Sequence, residues 1–413
     1  MERKIDKLMS IARSGSPMSI ALRKLRHDWI AVVSFLFIAI VALIAILGYL
    51  GTPDSTPFAN NQHVELAACK PGFKVKMMLI RKQKEVKQRS LVGRMFLGQE
   101  SAFNEISIDS VSFDGTDIIA WQYNPDVEAE PTSQRICIVN ALYHLASDAA
   151  MLKSGNSVTF QLFNGEKQSS TLADLKAKFL SENIITRRFV LGTDRFGRDL
   201  LSRMIIGARV SLSVGFIAVF IALIIGIFMG SVAGFMRGWV DSFVMWLVNV
   251  AWSVPTLLMV IALTMLIGKG FWQIFIAVGL TMWVDMARVV RGQVLSVREK
   301  EYVEAATVLG FNKLRIIFKH VLPSVIGPVI IVSASNFATA ILLEAGLSFL
   351  GVGVQPPMPS WGTIVRNHYG YVIMDKAYLA LIPGFAIMLL VLAFNLLGNS
   401  LRDALDPKEV ENR

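Results

Sequence analysis

Two carboxylates stand where carboxylates are costly: Asp285 and Glu344 lie inside long apolar runs. An ionisable group at such depth marks a substrate path, or it satisfies a neighbouring helix. Asp285 falls near the end of its run, close enough to Arg288 to form an ion pair, whereas for Glu344 a substrate role and a bundle partner both stand. The other reactive types do not converge. The five histidines, His27, His63, His144, His320 and His368, lack metal-ligand spacing and read as loop or interface residues. No G-x-x-x-x-G-K-S/T loop occurs, so the chain offers no glycine-rich cradle for ATP. No catalytic residue, cofactor or metal is expected, and any ATP-driven motor must be another subunit.

The elements that position these residues are mostly apolar. Hydrophobic residues make up 54% and charged residues 17% of the 413, too apolar for one soluble domain and consistent with several membrane spans. The net charge of +10 would suit nucleic acid, but much of it sits beside apolar runs, where it orients spans instead. Arg3, Lys4, Lys7, Arg13, Arg23, Lys24 and Arg26 precede the run 29–50, so residues 1–28 are expected to stay cytoplasmic and the first span to lead outward. Further spans are expected near 210–235, 243–266, 271–290, 325–350 and 378–397, with Pro255 kinking the third and Lys269 in an outer loop. In 210–235, Ala218, Ala222, Gly226, Gly230 and Gly234 recur at every fourth position, which makes one small-residue face for close helix packing.

Between two runs lies a polar hairpin. Ser296 with Glu299 forms a capping box, so a helix is expected from Ser296 to Leu309, closed by Gly310 in the left-handed conformation. Asn312 then caps a second helix with apolar positions Leu314, Ile317, Phe318 and Val321, which Pro323 is expected to stop. Ala305 and Ala306 keep the first helix slim enough for a partner groove to approach. Arg298, Lys300, Lys313, Arg315 and Lys319 hold the 291–323 loop on the cytoplasmic side.

Glu304-Ala305-Ala306, Gly310 and the Leu322-Pro323 end resemble the EAA loop of ABC importer permeases. The resemblance implies that these residues couple the spans to a cytoplasmic ATPase. A loop merely lying on lipid would need neither the Gly310 turn nor the paired alanines. Leu191 to Arg209, the turn from Gly351 to Gly362, and the tail Leu401 to Pro407 resemble the dipeptide, oligopeptide and nickel branch, specifically its second permease subunit. That implies a bacterial inner-membrane protein importing di- or oligopeptides or a related small solute. The implied partners are a second permease subunit in a heterodimer, two cytoplasmic ABC ATPase subunits and an extracytoplasmic solute-binding protein. A secondary transporter or channel without ATPases is the alternative, but inverted repeats, broken midplane helices and buried coupling charges are not evident.

The resemblance covers 191–407 strongly and the first span weakly, and residues 51–190 depart from it. There, Val75 to Ile80, Ile106 to Trp121 with a turn at Asp114-Gly115, Arg135 to Val139 and Ser157 to Phe163 read as strands, and Thr171 to Leu180 as a helix. The expectation is an all-α polytopic membrane protein with six transmembrane helices and both termini cytoplasmic, carrying an inserted extracytoplasmic α+β domain after the first helix. The insert is a spacer or a docking surface for the binding protein. Its cysteines, Cys69 and Cys137, permit one disulfide or two thiols, and the disulfide is expected. After it, i, i+4 pairs Asp194 to Arg198 and Asp199 to Arg203 would support a helix whose Leu200, Leu201, Met204 and Ile205 face lipid headgroups.

Overall fold

The computed structural model describes residues 17–405 except 127, 129, 146–151, 155 and 269. Arg3, Lys4, Lys7, Arg13, Lys269, Asp406, Pro407 and the tail 408–413 lie outside the described residues. The chain forms two compact units: one comprises Ile46–Ile206 and Asn367–Leu379, and the other takes the remaining described chain.

Helix α1 (Pro17–His27) leads into α2 (Trp29–Leu47), 19 residues without a charge and about as long as a bilayer requires. A short 3-10 turn, Gly48–Leu50, ends this span.

The first-named unit is built on an antiparallel sheet of β1 (Phe73–Arg81), β2 (Phe103–Asp114), β3 (Asp117–Gln122), β4 (Ser133–Cys137) and β8 (Ile184–Phe189), in the order β4-β3-β2-β1-β8. Between them lie α3 (Leu91–Leu97), α4 (Ile138–Leu142), a small sheet of β5 (Leu152–Ser154), β6 (Ser157–Gln161) and β7 (Lys167–Thr171), and α5 (Leu172–Glu182). The β2–β3 turn is tight because Gly115 takes a φ of 58°. Strand β1 is an interior strand covered on both faces, so consecutive Met77 and Met78 are both buried. Met78 joins Ile108, Ile118, Phe160, Leu175 and Phe179 on one side, while Val75 and Met77 join Leu66 and Phe189 on the other.

Three expectations change in this unit. The strand beginning near Arg135 ends at Cys137, because Ile138 and Val139 turn inward as the first residues of α4. No disulfide joins Cys69 and Cys137: Cys69 packs with Leu66 and Phe189, and Cys137 with the Phe160 cluster on the opposite face of the sheet. Nor does 194–205 form a separate interfacial helix. Leu200 and Met204 are buried, and Leu200 begins a continuous helix.

That helix is α6 (Leu200–Met236), followed by α7 (Gly238–Trp252), α8 (Thr256–Ile267), α9 (Phe271–Arg298), α10 (Glu301–Val308), α11 (Lys313–Ile316), α12 (Leu322–Leu350), α13 (Trp361–His368) and α14 (Tyr378–Leu405). Among the described residues, five helical stretches are long and apolar enough to cross a membrane, six if α7 and α8 form one span. Those two meet at 93°, so Pro255 marks a break rather than a kink. Its missing N–H leaves Ser253 and Val254 to satisfy the end of α7 by tighter backbone bonds to Val250 and Ala251.

The small-residue face of α6 packs on α9. A Cβ added at Gly226 would lie 2.5 Å from the Cβ of Met286, one at Gly230 2.5 Å from the carbonyl of Ala287, and one at Gly234 2.9 Å from the carbonyl of Arg291. Ala218 and Ala222 are fully buried in the same bundle core.

Gly230→Val should therefore destabilise the helical unit by about 1–3 kcal/mol through overpacking. A lowered melting temperature of the purified protein in detergent would show it; an unchanged melt would mean that the two helices part without loss. A second measurement concerns the sheet. Burial alone would push the Glu105 carboxyl up, but the imidazole of His63 and the guanidinium of Arg187 outweigh it and hold the carboxyl below its ordinary value of 4.5. The depressed folded value means that this contribution is present above pH 4.5 and is lost as the pH falls through the folded value. Hydrogen exchange of β1 and β2 in the full-length chain should accelerate on acidification, and Glu105→Gln should flatten that dependence.

Candidate functional site

The hairpin between α9 and α12 starts later than a Ser296 cap would place it. Helix α9 continues through Ser296 to Arg298, and only then does the chain break at Glu299 and Lys300 before α10. Helix α10 closes at Leu309, and Gly310 adopts a φ of 77° with open space where a Cβ would be. Asn312 caps α11, its side-chain oxygen accepting from the amide of Leu314 at 3.2 Å. Pro323 does not stop the helix. It occupies the first turn of α12, and Ile317–Val321 ahead of it widens into a π turn that absorbs the missing N–H and the ring's bulk.

One apolar cluster unites these elements: Val294, Val297, Val303, Ala306, Ile316, Ile317, Val321 and Val325. Ala306 therefore faces inward, while Glu304 and Ala305 face out. Leu314 and Phe318 are not core positions; Ile316 takes the inward place. Val308, Leu309, Leu314 and Phe318 are 82%, 72%, 60% and 66% exposed, beside solvent-facing Lys313, Arg315 and Lys319. Sequence reasoning missed this outward apolar face. Two large apolar residues, Val308 and Leu309, immediately before the Gly310 turn were the available clue. Arg315 lies over the Phe311 ring at 4.6 Å, and Arg291 holds Asp241 through an Nη2–Oδ2 contact of 2.6 Å.

The two intramembrane carboxylates part company. Asp285 is exposed and does not pair with Arg288, whose guanidinium lies 3.4 Å above the Trp252 ring instead. Glu344 is wholly buried. The hydroxyl of Ser348 donates to it at 2.7 Å and that of Ser211 at 3.2 Å, with Ser360 bonded to Ser348 at 3.3 Å. The turn Gly351–Gly362 folds down on this network: a Cβ at Gly362 would lie 2.7 Å from the Cα of Ala345. Glu344 is thus tied to hydroxyls on α6, on α12 and just before α13.

In the segment before α6, Asp194 is buried and accepts from Nε and Nη2 of Arg198 at 2.7 and 2.6 Å. It also meets Nε of Arg203 at 3.5 Å. The expected Asp199–Arg203 pair does not form, because Asp199 turns to cap α6, accepting from the amide of Ser202 at 2.7 Å. The histidines serve local packing: His144 stacks on Phe163, His320 on Phe311, and His368 Nε2 accepts from the amide of Arg195. Among the described residues, no group of histidine, cysteine, aspartate or glutamate is placed to hold a metal ion.

The family model described as binding-protein-dependent transport system inner membrane component matches residues 202–410. The model described as the N-terminal TM domain of oligopeptide transport permease C matches residues 16–67. The dipeptide transport system permease protein DppC of Alkalihalophilus pseudofirmus is 42% identical over 217 residues, 52% of this chain and 71% of the relative. The oligopeptide transport system permease protein OppC of Salmonella typhimurium is 46% identical over 218 residues, 53% and 72% of the two chains. A solved inward-facing MetNI methionine ABC transporter aligns with 50% of this chain and 98% of its own at 18% identity, with a TM-score of 0.43.

Proposed function

Because the chain belongs to the family of binding-protein-dependent transport system inner membrane components, we propose that it is a membrane-spanning permease subunit of an ATP-driven importer for peptides. It is a transport subunit and not an enzyme; ATP hydrolysis belongs to separate ATPase subunits. The relatives are named for dipeptides, oligopeptides and glutathione, which share a peptide backbone, and this supports a short peptide as the solute.

The observation that carries the reading is the hairpin. Val308, Leu309, Leu314 and Phe318 expose an apolar face on an element otherwise anchored in the core, and basic residues rim it. Such a face, apolar at its centre and charged at its edge, has the make-up of a protein interface. We assign it to a cytoplasmic ATPase, with Glu304 and Ala305 on the outward side of α10, Gly310 fixing the angle between the two hairpin helices, and Leu322 and Pro323 at the hinge into α12. In this reading the permease pairs with a second permease subunit, two ATPases bind below, and a solute-binding protein delivers peptide from outside. Residues 1–28 and the hairpin lie in the cytoplasm, and residues 51–190 lie outside. The stripe of Ala218, Ala222, Gly226, Gly230 and Gly234 holds the bundle together, and Glu344 acts as an internal tie rather than a peptide ligand, since hydroxyls enclose it.

Leu309→Glu combined with Phe318→Glu should abolish co-purification of ATPase subunits and peptide uptake while leaving the melting temperature of the permease unchanged. ATPases that still co-purify at wild-type stoichiometry would remove the hairpin from the interface. Orientation has its own measurement: a membrane-impermeant thiol reagent applied to intact cells should label Gly165→Cys and leave Asn312→Cys unlabelled. The reverse pattern would invert the assignment.

A further inference from the structure

Helix α3 has more apolar surface outside than inside. Leu91, Val92 and Leu97 are 70%, 63% and 61% exposed, and none of its residues is buried. A helix this short does not persist by propensity. It is held at both ends instead. Ser90 caps it, accepting from the amide of Gly93 at 3.2 Å. At the other end Gly98, at a φ of 71°, passes so close to Ser55 that a Cβ would lie 2.7 Å from its carbonyl, and the amide of Gln99 donates to that carbonyl at 2.8 Å. Arg89 closes the loop by donating to the carbonyls of Leu97 and Gly98 at 2.7 and 2.9 Å. The chain spends a cap, a positive-φ glycine and an arginine on presenting apolar side chains outward.

What they face follows from where α3 lies. It packs against Gly48–Leu50, the turn that ends the first span, within the same compact unit. Leu47 and Leu50, at the end of the apolar run and in the same unit, are themselves exposed. Exposed Lys84, Lys87 and Arg94 lie on and just before the helix, with Glu85 as the acid among them. A cleft of about 440 Å³ lined by Lys87, Arg89, Ser90, Gly93, Leu97 and Glu100 opens beside it. An apolar face rimmed by cations at the depth where a span leaves the hydrocarbon has the composition of an interfacial segment.

We propose that α3 is an interfacial anchor of the inserted unit: Leu91, Val92 and Leu97 enter the headgroup and upper acyl region of the leaflet where the first span ends, and the neighbouring cations meet lipid phosphates. The occupant of this face is the bilayer itself, and a docked protein is the competing occupant.

The test uses the full-length chain with Cys69→Ser and Cys137→Ser, carrying Val92→Cys labelled with an environment-sensitive fluorophore, in nanodiscs of phosphatidylcholine and phosphatidylglycerol. Brominating the acyl chains should quench that fluorophore by about half, as contact with the upper acyl region requires, and leave one at Asn164→Cys unquenched. If the label at position 92 is unaffected by brominated lipid, the anchor is refuted. Shielding of that label from an aqueous quencher by added solute-binding protein, without quenching by lipid, would overturn the proposal in favour of a protein dock.

Discussion

The close approach of α6 to α9 is the constraint on which the helical unit depends. Lipid supplies no hydrophobic drive between two apolar helices, so association rests on contact between backbones and small side chains. Gly226, Gly230 and Gly234 let the carbonyls and side chains of Trp283 to Val294 come within van der Waals distance. The relation is reciprocal further along, where Gly279 of α9 receives Ile221 and the carbonyl of Ala218. A seam with glycines on both sides is set in register at several points. Because α9 runs straight on to Arg298, the same seam also fixes where the hairpin begins.

Helix α12 is held at two places by different chemistry. At its start, the cluster of Val297, Val303, Ile317, Val321 and Val325 ties it to α9 and α10. Toward its end, Glu344 and Ser348 tie it to Ser211 of α6 and Ser360 ahead of α13. Dispersion tolerates small slips, whereas a buried carboxylate leaves unsatisfied oxygens if its donors move. The hydroxyl tie is thus the stiff end and the hairpin cluster the compliant one. The π turn lies at the compliant end.

Much of the site was legible where local chemistry decides. Gly310 and Asn312 act within a few residues, and both do what their residue types dictate. Where the outcome depends on what the chain packs against, sequence was a weaker guide. Ser296 and Glu299 form a capping pattern, but α9 was already helical and had no reason to break there. Pro323 forbids one hydrogen bond, and a wider turn accommodates that without ending the helix. Leu314 and Phe318 share a helical period with Ile317 and Val321, yet the inward face runs through Ile316, Ile317 and Val321. Asp199 had two available roles, and the start of a helix needing an acceptor outcompeted a pair with Arg203. Cys69 and Cys137 share one polar region, but a sheet lies between them, which spacing alone does not convey.

The sheet unit is closed where the chain enters and leaves it. The chain entering it and the chain leaving it run side by side: the amide of His63 donates to the carbonyl of Phe196, the amide of Ala68 to Asp194, and that of Thr193 to Cys69. Gly197 and Gly192 permit this, since a Cβ at either would collide with the carbonyl of His63 or Cys69. Strands β1 and β8, which follow and precede these crossings, pair directly from Phe73 with Phe189 onward. Tyr378, at the start of α14, donates to the carbonyl of Cys69 at 2.7 Å and closes the same knot from a third segment. The chain between Cys69 and Gly192 is thus a loop whose ends are already joined. Residues 68–201 fall between the two stretches that match family models, and they begin and end within this knot.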